Sequence, residues 1–232
     1  ELPLSIKLEL RVLKYWMRLL KLPDGHIAKQ MYDTLCSLDN IGFRSWVTYL
    51  KGLLVKYGLE NLLDGRILPP NMYKLTKAKI VAAYSTQFCS LISDENRYPK
   101  LRTYKLFKSS FEMENYLWLQ IPRYRISLCR LRTSSHHLEI ERGRYTIPKT
   151  PAESRICKQC NLNEVEDEIH FVLNCSQHDV LRVDLNNIAR AEITNFETLC
   201  DKEKFCALMS TDNSLVTFTL AKFCHHAFKN RT

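Results

Sequence analysis

Glycine is scarce in this chain, with only six among 232 residues. Alternating polar and apolar runs are also few, and no internal repeat or low-complexity segment is present. Apolar residues instead recur at the 3.6-residue period of helices, which favours a mainly α fold. We predict a multi-helix body, a small zinc-binding module and C-terminal helices. The predicted helices cover residues 5–22, 27–38, 44–57, 73–92, 122–137, 180–190 and 215–228.

The chain also lacks an uninterrupted apolar run of the kind found in signal peptides and membrane spans. Five basic residues interrupt its most apolar helix, on one stripe: Lys7, Arg11, Lys14, Arg18 and Lys21. The nine cysteines are an odd number, which argues for a reducing compartment. We therefore expect a location in the nucleus or cytoplasm and no membrane partner. Because the sequence begins at Glu1 and not at methionine, we also expect a fragment of a longer protein.

Three cysteines and one histidine are spaced as ligands of a single metal ion. They form the pattern C-x2-C-x9-H-x4-C with Cys157, Cys160, His170 and Cys175. A C-x2-C pair can bind a metal from a tight turn, and the H-x4-C pair can supply the other two corners of a tetrahedron. We predict a structural Zn²⁺ site, closed by four protein ligands and without an open position for an activated water.

His178 is an alternative fourth ligand. It lies three residues after Cys175 and could replace His170, although a solvated histidine fits its position better. His170 follows an acidic run and stands five residues before Cys175, so it can reach back toward the C-x2-C turn. We predict that His170 is the ligand.

Positive charge is concentrated in the middle of the chain. Residues 97–155, which we call the basic belt, hold 13 Lys and Arg against 5 Asp and Glu, whereas residues 156–232 hold 8 against 11. A basic segment directly before a metal module is typical of a nucleic-acid-binding surface. Simple solubility is the competing explanation of the same charge.

Within the basic belt, the helix predicted from Pro122 places arginine and serine side chains on one row. Arginine forks and hydroxyls on such a row suit the phosphate oxygens of a nucleic-acid backbone. Alternatively, the arginines pair with Glu139 and Glu141 on a solvated helix. The candidate nucleic-acid-binding residues are Arg123, Ser127, Arg130, Arg132, His137, Arg142, Arg144 and Arg155.

Several of these segments together resemble a known family. They are Lys100-Leu-Arg-Thr-Tyr-Lys-Leu-Phe-Lys108, Arg130 to His137, Glu139-Ile-Glu-Arg-Gly-Arg-Tyr145, Arg155-Ile-Cys-Lys-Gln-Cys160, Val165-Glu-Asp-Glu-Ile-His-Phe171 and Cys175. They are similar to the C-terminal region of the reverse-transcriptase polyprotein of LINE-type, non-LTR retrotransposons. The similarity covers most of residues 2–182 and is most specific in the zinc part.

The resemblance implies a nucleic-acid-binding appendage that helps to hold template RNA or target DNA. It also implies the polymerase portion of the same polyprotein as a partner, and it places the family's metal ligands on the four residues named above. The catalytic parts are missing, because the chain has no Tyr-x-Asp-Asp and no acidic cluster suited to two magnesium ions. His136 and His137 lie in a basic setting, which does not fit an endonuclease site. We therefore expect no catalysis by this chain.

For the domain organisation we predict a helical body with the basic belt (1–142), the CCHC zinc module (143–182) and a C-terminal helical extension (183–232). A protein-interaction domain is the alternative function. Its acidic face would be formed by Glu164, Glu166, Asp167 and Glu168, and its aromatic helices would supply an anchor patch. An enzyme that uses Cys224 with His225 and His226 is a weaker reading, because these residues fall on a packed closing helix.

Overall fold

The computed structural model describes residues 2–63, 70–94 and 96–231. Within them the chain is mainly α-helical, which confirms the predicted class. The described part holds ten α-helices: α1 (Leu4–Leu19), α2 (Ile27–Asn40), α3 (Trp46–Lys56), α4 (Met72–Ser93), α5 (Tyr104–Phe107), α6 (Pro122–Arg132), α7 (Glu139–Arg142), α8 (Asp179–Glu192), α9 (Asp201–Ser210) and α10 (Ser214–Asn230). None of the described helices combines the length and apolar composition that a membrane crossing requires.

Shorter turns connect these helices. The 3₁₀ turns among the described residues are Glu60–Leu62, Pro99–Leu101, Asn115–Trp118, Ala152–Ser154, Ser176–His178 and Phe196–Thr198, and a π-helical turn spans His170–Asn174. The one β-bridge of the described residues pairs Ile156 with Val165 in antiparallel fashion. By its contacts the chain divides into two compact units, Glu1–Gln87 and Phe88–Thr232, with the boundary inside α4.

The first unit has its own core, built from α1, α2, α3 and the first part of α4. Leu13, Leu50 and Ile80 are fully buried there, and the indole N–H of Trp16 donates a hydrogen bond to the hydroxyl of Tyr32 (3.0 Å). All five basic residues of the stripe on and after α1 are exposed, as the helical spacing predicts. This unit therefore presents a ridge of positive charge outside a closed apolar core.

The end of α3 was predicted to within one residue, whereas the predicted end of α6 is five residues too late. At the end of α3, Gly58 adopts a left-handed conformation (φ 57°), and the N–H of Leu59 bonds to the carbonyl of Leu54 (2.8 Å). At the end of α6, Ser134 takes the same role (φ 49°), with the N–H of Ser135 bonded to the carbonyl of Arg130 (2.8 Å). This turn ends α6 at Arg132, so the prediction to residue 137 is too long; serine is an unusual residue for this position and gives no sign of a helix end in the sequence.

The second unit packs α6, α8 and α10 around one core. Leu128, Leu185 and Leu220 from these helices lie in the same buried cluster as Phe171 and Val172, which belong to the segment that carries the predicted metal ligands. Apolar burial of this kind is the main favourable contribution to folding. The predicted boundaries at 142 and 182 fall inside this unit, so the division by packing differs from the three parts predicted from the sequence.

Candidate metal centre

The first two ligands lie on a hairpin turn. The N–H of Cys157 donates to the carbonyl of Glu164 (2.8 Å), and the N–H of Glu166 donates to the carbonyl of Arg155 (2.9 Å). Beyond the Cys157–Glu164 rung the chain reverses, and Asn163 in this turn adopts a left-handed conformation (φ 56°) that asparagine tolerates well. The hairpin therefore holds Cys157 and Cys160 at one end of a short antiparallel pair.

The other two ligands lie at the ends of the π-helical turn. The N–H of Cys175 donates to the carbonyl of His170 (2.8 Å), closing a turn that is one residue wider than that of an α-helix. In an α-helix, residues five apart are rotated by about 140° from each other, because each residue advances about 100°. The wider turn allows His170 and Cys175 to approach the same point.

The four side chains meet in one place. The sulfurs of Cys157 and Cys175 are 3.9 Å apart, and the Cys160 sulfur is 3.4 Å from Nε2 of His170. All four candidate ligand atoms lie within 4.8 Å of one another. The sequence prediction that these residues form one cluster is confirmed, and the cluster could hold a metal ion with three sulfurs and one nitrogen.

A carboxylate orients the histidine. Nδ1 of His170 lies 2.9 Å from Oε2 of Glu164, so a proton on Nδ1 is donated to the carboxylate and the lone pair of Nε2 points toward the sulfurs. Carboxylates in this position fix the tautomer and raise the basicity of metal-binding histidines. The sequence prediction assigned Glu164 to an acidic surface and missed this role.

The thiols are held in their protonated form when no metal balances them. Burial raises the pKa of Cys157 to about 12, and burial also raises the pKa of Cys175. Metal binding must therefore displace protons from these sulfurs, since the thiolate is the form that binds metal. We expect metal affinity to fall as the pH falls.

His178 is not solvated, contrary to the prediction. It is buried between Phe171 and Phe223, with ring centroids 5.1 and 6.2 Å away, and it lies outside the four-ligand cluster. Burial, helped by the positive charge of Arg182, lowers its pKa to about 4. His178 is thus a neutral part of the core.

Arg182 supports the ligand turn from behind. Its Nε donates to the carbonyl of Val172 (2.7 Å) and its second terminal nitrogen donates to the carbonyl of Cys175 (2.7 Å). A buried guanidinium satisfies carbonyl groups that the end of the π-helical turn leaves without helical partners. Sequence reasoning missed this residue, because an arginine four residues into a helix gives no sign that it faces inward.

These positions predict different outcomes for two histidine substitutions. His170→Ala should abolish stoichiometric metal retention, because it removes one ligand of four. His178→Ala should keep the metal and lower stability by about 2 kcal/mol, as expected when a buried ring is deleted. Metal analysis and thermal unfolding of both variants test this, and equal metal loss in the two would show that the fourth ligand is wrongly assigned.

The acidic run does not form a surface face. Glu166 and Glu168 are buried, at 1% and 0% exposure. Glu168 accepts hydrogen bonds from Arg102 (2.7 Å) and Ser134 (2.6 Å) and lies 2.9 Å from Nε2 of His136, while Glu166 pairs with Arg231. The prediction of a basic setting for His136 is therefore wrong, since its ring faces a carboxylate.

Two of the candidate nucleic-acid-binding residues are buried. Arg132 donates to the carbonyl of Met209 (2.6 Å), pairs with Glu114 (3.0 Å) and lies over the Phe107 ring. The Ser127 hydroxyl donates to the carbonyl of Arg123 within α6. Neither side chain can reach a phosphate without disrupting the core, and we remove both from the candidate set.

Arg144 and Arg155 are partly exposed but hold the fold together. Arg144 pairs with Glu141 (3.0 Å) and donates to the carbonyl of Pro99, and Arg155 donates to the carbonyls of Thr150 and Ile140. A Cβ atom at Gly143 would lie 2.6 Å from Nε of Arg155, so only glycine allows this approach. The guanidinium groups of these two arginines are engaged by the fold, and a phosphate would have to compete with those contacts.

The remaining candidates are exposed, and three of them converge. Arg123, Arg130, His137 and Arg142 lie at the surface, and Arg130, His137 and Arg142 line one cavity of about 680 Å³. The alternative, that the arginines pair with glutamates, applies to Arg142, because its Nη1 lies 3.4 Å from Oε1 of Glu139. The Arg142 side chain nevertheless remains 59% exposed. The structure thus gathers part of the predicted set into one basic site.

Comparison of the chain with protein-family models, with curated proteins and with solved structures returns no match. The four-ligand cluster and the basic cavity therefore stand on the residues and geometry described above. The family resemblance stands on the sequence segments that carry it.

Proposed function

We propose that this chain is a zinc-stabilised nucleic-acid-binding region of a LINE-type reverse-transcriptase polyprotein, without catalysis of its own. The observation that carries the binding role is the convergence of Arg130, His137 and Arg142 on one cavity. The retrotransposon origin draws its support from the sequence resemblance, and the polymerase portion of the same polyprotein is the implied partner.

The distances in the ligand cluster support zinc as the proposed metal. Zn–S bonds of about 2.3 Å and Zn–N bonds of about 2.0 Å place neighbouring ligand atoms of a tetrahedron about 3.5 to 3.8 Å apart. The sulfur–sulfur distance of 3.9 Å and the sulfur–nitrogen distance of 3.4 Å are close to these values. When bound, zinc would cross-link the hairpin to the π-helical turn, which is a structural role.

The charge of the surface supports phosphate as the target. Exposed arginines recognise phosphate oxygens through paired N–H groups, and such contacts depend little on base identity. In the basic belt, three of the five acidic residues are either buried or paired with a cation: Glu114, Glu139 and Glu141. The exposed cations are therefore little neutralised by their own surface.

The test is the salt dependence of binding to labelled RNA and DNA. Replacing Arg123 and Arg130 with Gln should weaken binding about tenfold and reduce the slope of log affinity against log salt by about 0.7 to 0.9 for each lost phosphate contact. Both side chains are exposed, so the fold and the metal content should not change.

The matched control removes two charges elsewhere in the same unit. Arg190 and Lys222 are half-exposed and pair with Glu197 and Asp184, so Arg190→Gln with Lys222→Gln lowers the net charge by the same amount. We expect the control to lose much less affinity. An affinity that does not depend on salt concentration, or that falls equally in both double variants, would contradict the proposal.

Exposed apolar side chains on the first unit favour a second candidate function, protein interaction. Leu4, Ile27 and Ile41 are more than 70% exposed. Apolar surface of this kind is typical of interfaces when it is contiguous. The acidic face predicted for this function loses support, because Glu166 and Glu168 are buried. Binding of the purified polymerase portion, unaffected by salt, would favour this role.

A further inference from the structure

The basic cavity is lined by residues from three parts of the second unit. The first part is α6 and the turn after it, the second is the segment around α7, and the third is α10 with the residue that follows it. The described lining is Arg130, Ser135, His136, His137, Arg142, Phe228 and Arg231, around about 680 Å³. This volume is within the usual range of small-molecule sites, roughly 300 to 1,000 Å³.

The inner walls of the cavity are fixed by buried carboxylates. Glu168 lies 2.9 Å from Nε2 of His136, and Glu166 accepts a hydrogen bond from Nε of Arg231 (2.8 Å). Arg231 also donates to the carbonyl of His137 (2.6 Å). Because these bonds hold the walls in place, the wall side chains lose little conformational entropy when a ligand enters.

An aromatic stack forms one side of the cavity. The ring of Phe228 lies nearly parallel to that of Phe171, with centroids 4.7 Å apart and planes at 16°. The His136 ring lies 6.1 Å from Phe228, at 28°. Phe228 is therefore rigid and offers an apolar contact to a planar group inside the cavity.

The cationic side chains at the rim of the cavity make few contacts with the rest of the protein. Arg130 and His137 are exposed, and their side chains form no ion pair among the described residues. Arg142 makes a single, loose pair with Glu139 (3.4 Å). A phosphate at the rim would be bound by guanidinium and imidazole donors that need not leave strong partners first.

Given the proposed function, on which this inference rests, we propose that the cavity binds one unpaired nucleotide of a single-stranded nucleic acid. Its phosphate would contact Arg130 and Arg142 at the rim, and its base would enter toward Phe228. Single strands are bound in this way elsewhere, with cations along the backbone and aromatic rings against unstacked bases.

The shape of the site favours an unpaired nucleotide over a duplex or a free phosphate. A base inside a duplex cannot enter a cavity unless it leaves its stack, which costs a few kcal/mol. An inorganic phosphate would use only the rim and leave the aromatic side of the cavity without a partner. The cavity should therefore distinguish these three ligands.

The experiment measures the binding of labelled single strands of RNA and DNA, and of a duplex of the same sequence, to the full chain. We expect Arg130→Gln with Arg142→Gln to weaken single-strand binding about tenfold more than the charge-matched pair Arg190→Gln with Lys222→Gln does. Duplex binding should fall less than single-strand binding in Arg130→Gln with Arg142→Gln. A nucleoside monophosphate should compete with the single strand at concentrations where inorganic phosphate does not.

A variant that keeps the charge tests the cavity separately. Ser135 is exposed and lines the cavity, and among the described residues its hydroxyl makes only long contacts, to Thr133 (3.3 and 3.5 Å). Ser135→Leu should narrow the opening and weaken single-strand binding severalfold, while thermal unfolding and metal content stay unchanged. If Ser135→Leu bound single strands as tightly as the parent chain, the inference would be overturned.

The outcomes separate this inference from the proposed function. A parent chain that binds neither single strands nor duplexes would overturn both. If Arg130→Gln with Arg142→Gln lost single-strand and duplex affinity equally, and more than the control pair, the nucleotide assignment would be overturned and the proposed function would stand. Equal competition by inorganic phosphate and nucleoside monophosphate would reduce the site to an anion site and overturn the nucleotide assignment.

Discussion

Cys160→Ser should release the metal and unfold the second unit while the first unit remains folded. A structural zinc site contributes on the order of 10 kcal/mol to folding, which is comparable to the whole stability of a typical domain, about 5 to 15 kcal/mol. The effect should reach far beyond the hairpin, because Phe171 and Val172 beside the ligand His170 lie in the core that α6, α8 and α10 share. Metal analysis and hydrogen exchange of the amides in each unit measure the two effects.

Cys200→Ser is the matched control. Cys200 is exposed and precedes α9 as its capping residue, where serine is also a favoured residue. This variant should retain the metal and full exchange protection in both units. If Cys160→Ser retained stoichiometric metal, or if its second unit exchanged as slowly as that of the control, the structural role of the metal would be refuted.

Glu168→Ala should destabilise the second unit by about 3 to 5 kcal/mol, since it leaves buried cationic and polar groups without their anion. Glu168 is fully buried and faces Arg102, Ser134 and His136. Glu197→Ala is the control, because Glu197 also pairs with an arginine but is 60% exposed, and its loss should cost less than about 1 kcal/mol. Exchange of amides in α6 and α10 compares the two, and similar costs would contradict the buried network.

The same carboxylate should make the stability depend on pH in acid. Burial alone would raise the pKa of Glu168, but the hydrogen bond from His136 and the charge of Arg102 outweigh it and lower the pKa from 4.5 to about 2. Its contribution, about 3 kcal/mol, is therefore present above pH 4.5 and is lost as the pH falls toward 2. Both the parent and Glu168→Ala release metal in acid, so the difference between their stabilities isolates this carboxylate.

Much of the helical architecture could be predicted because it depends on local patterns. The spacing of apolar residues located α1 to α4, α8 and α10 within a few residues, Pro122 marked the start of α6, and Gly58 correctly marked the end of α3. The metal ligands were found for the same reason, since their types and spacing are visible along the chain. In both cases the information lies within about twenty residues of sequence.

The features that escaped prediction depend on partners that are distant in sequence. Ser134 ends α6 because its backbone is left-handed and its hydroxyl donates to Glu168, 34 residues away. Arg132 is buried because Glu114 and the carbonyl of Met209 satisfy it. The helix α9 was missed altogether, since only Phe205, Leu208 and Met209 mark its buried side. A charge pattern alone cannot tell an arginine that faces the core from one that faces a ligand.

The shared core of the second unit bears on whether the ligand segment could be transplanted. A small zinc finger can often be moved between proteins, because its metal supplies most of its stability. Here a peptide of residues 155–178 would expose Phe171 and leave Glu166 and Glu168 without Arg231 and Arg102. Such a peptide should bind metal weakly and without a fixed conformation. Grafts and deletions of this region therefore have to carry α6 and α10 with it, which makes the whole second unit, and not the four ligands, the smallest portable element.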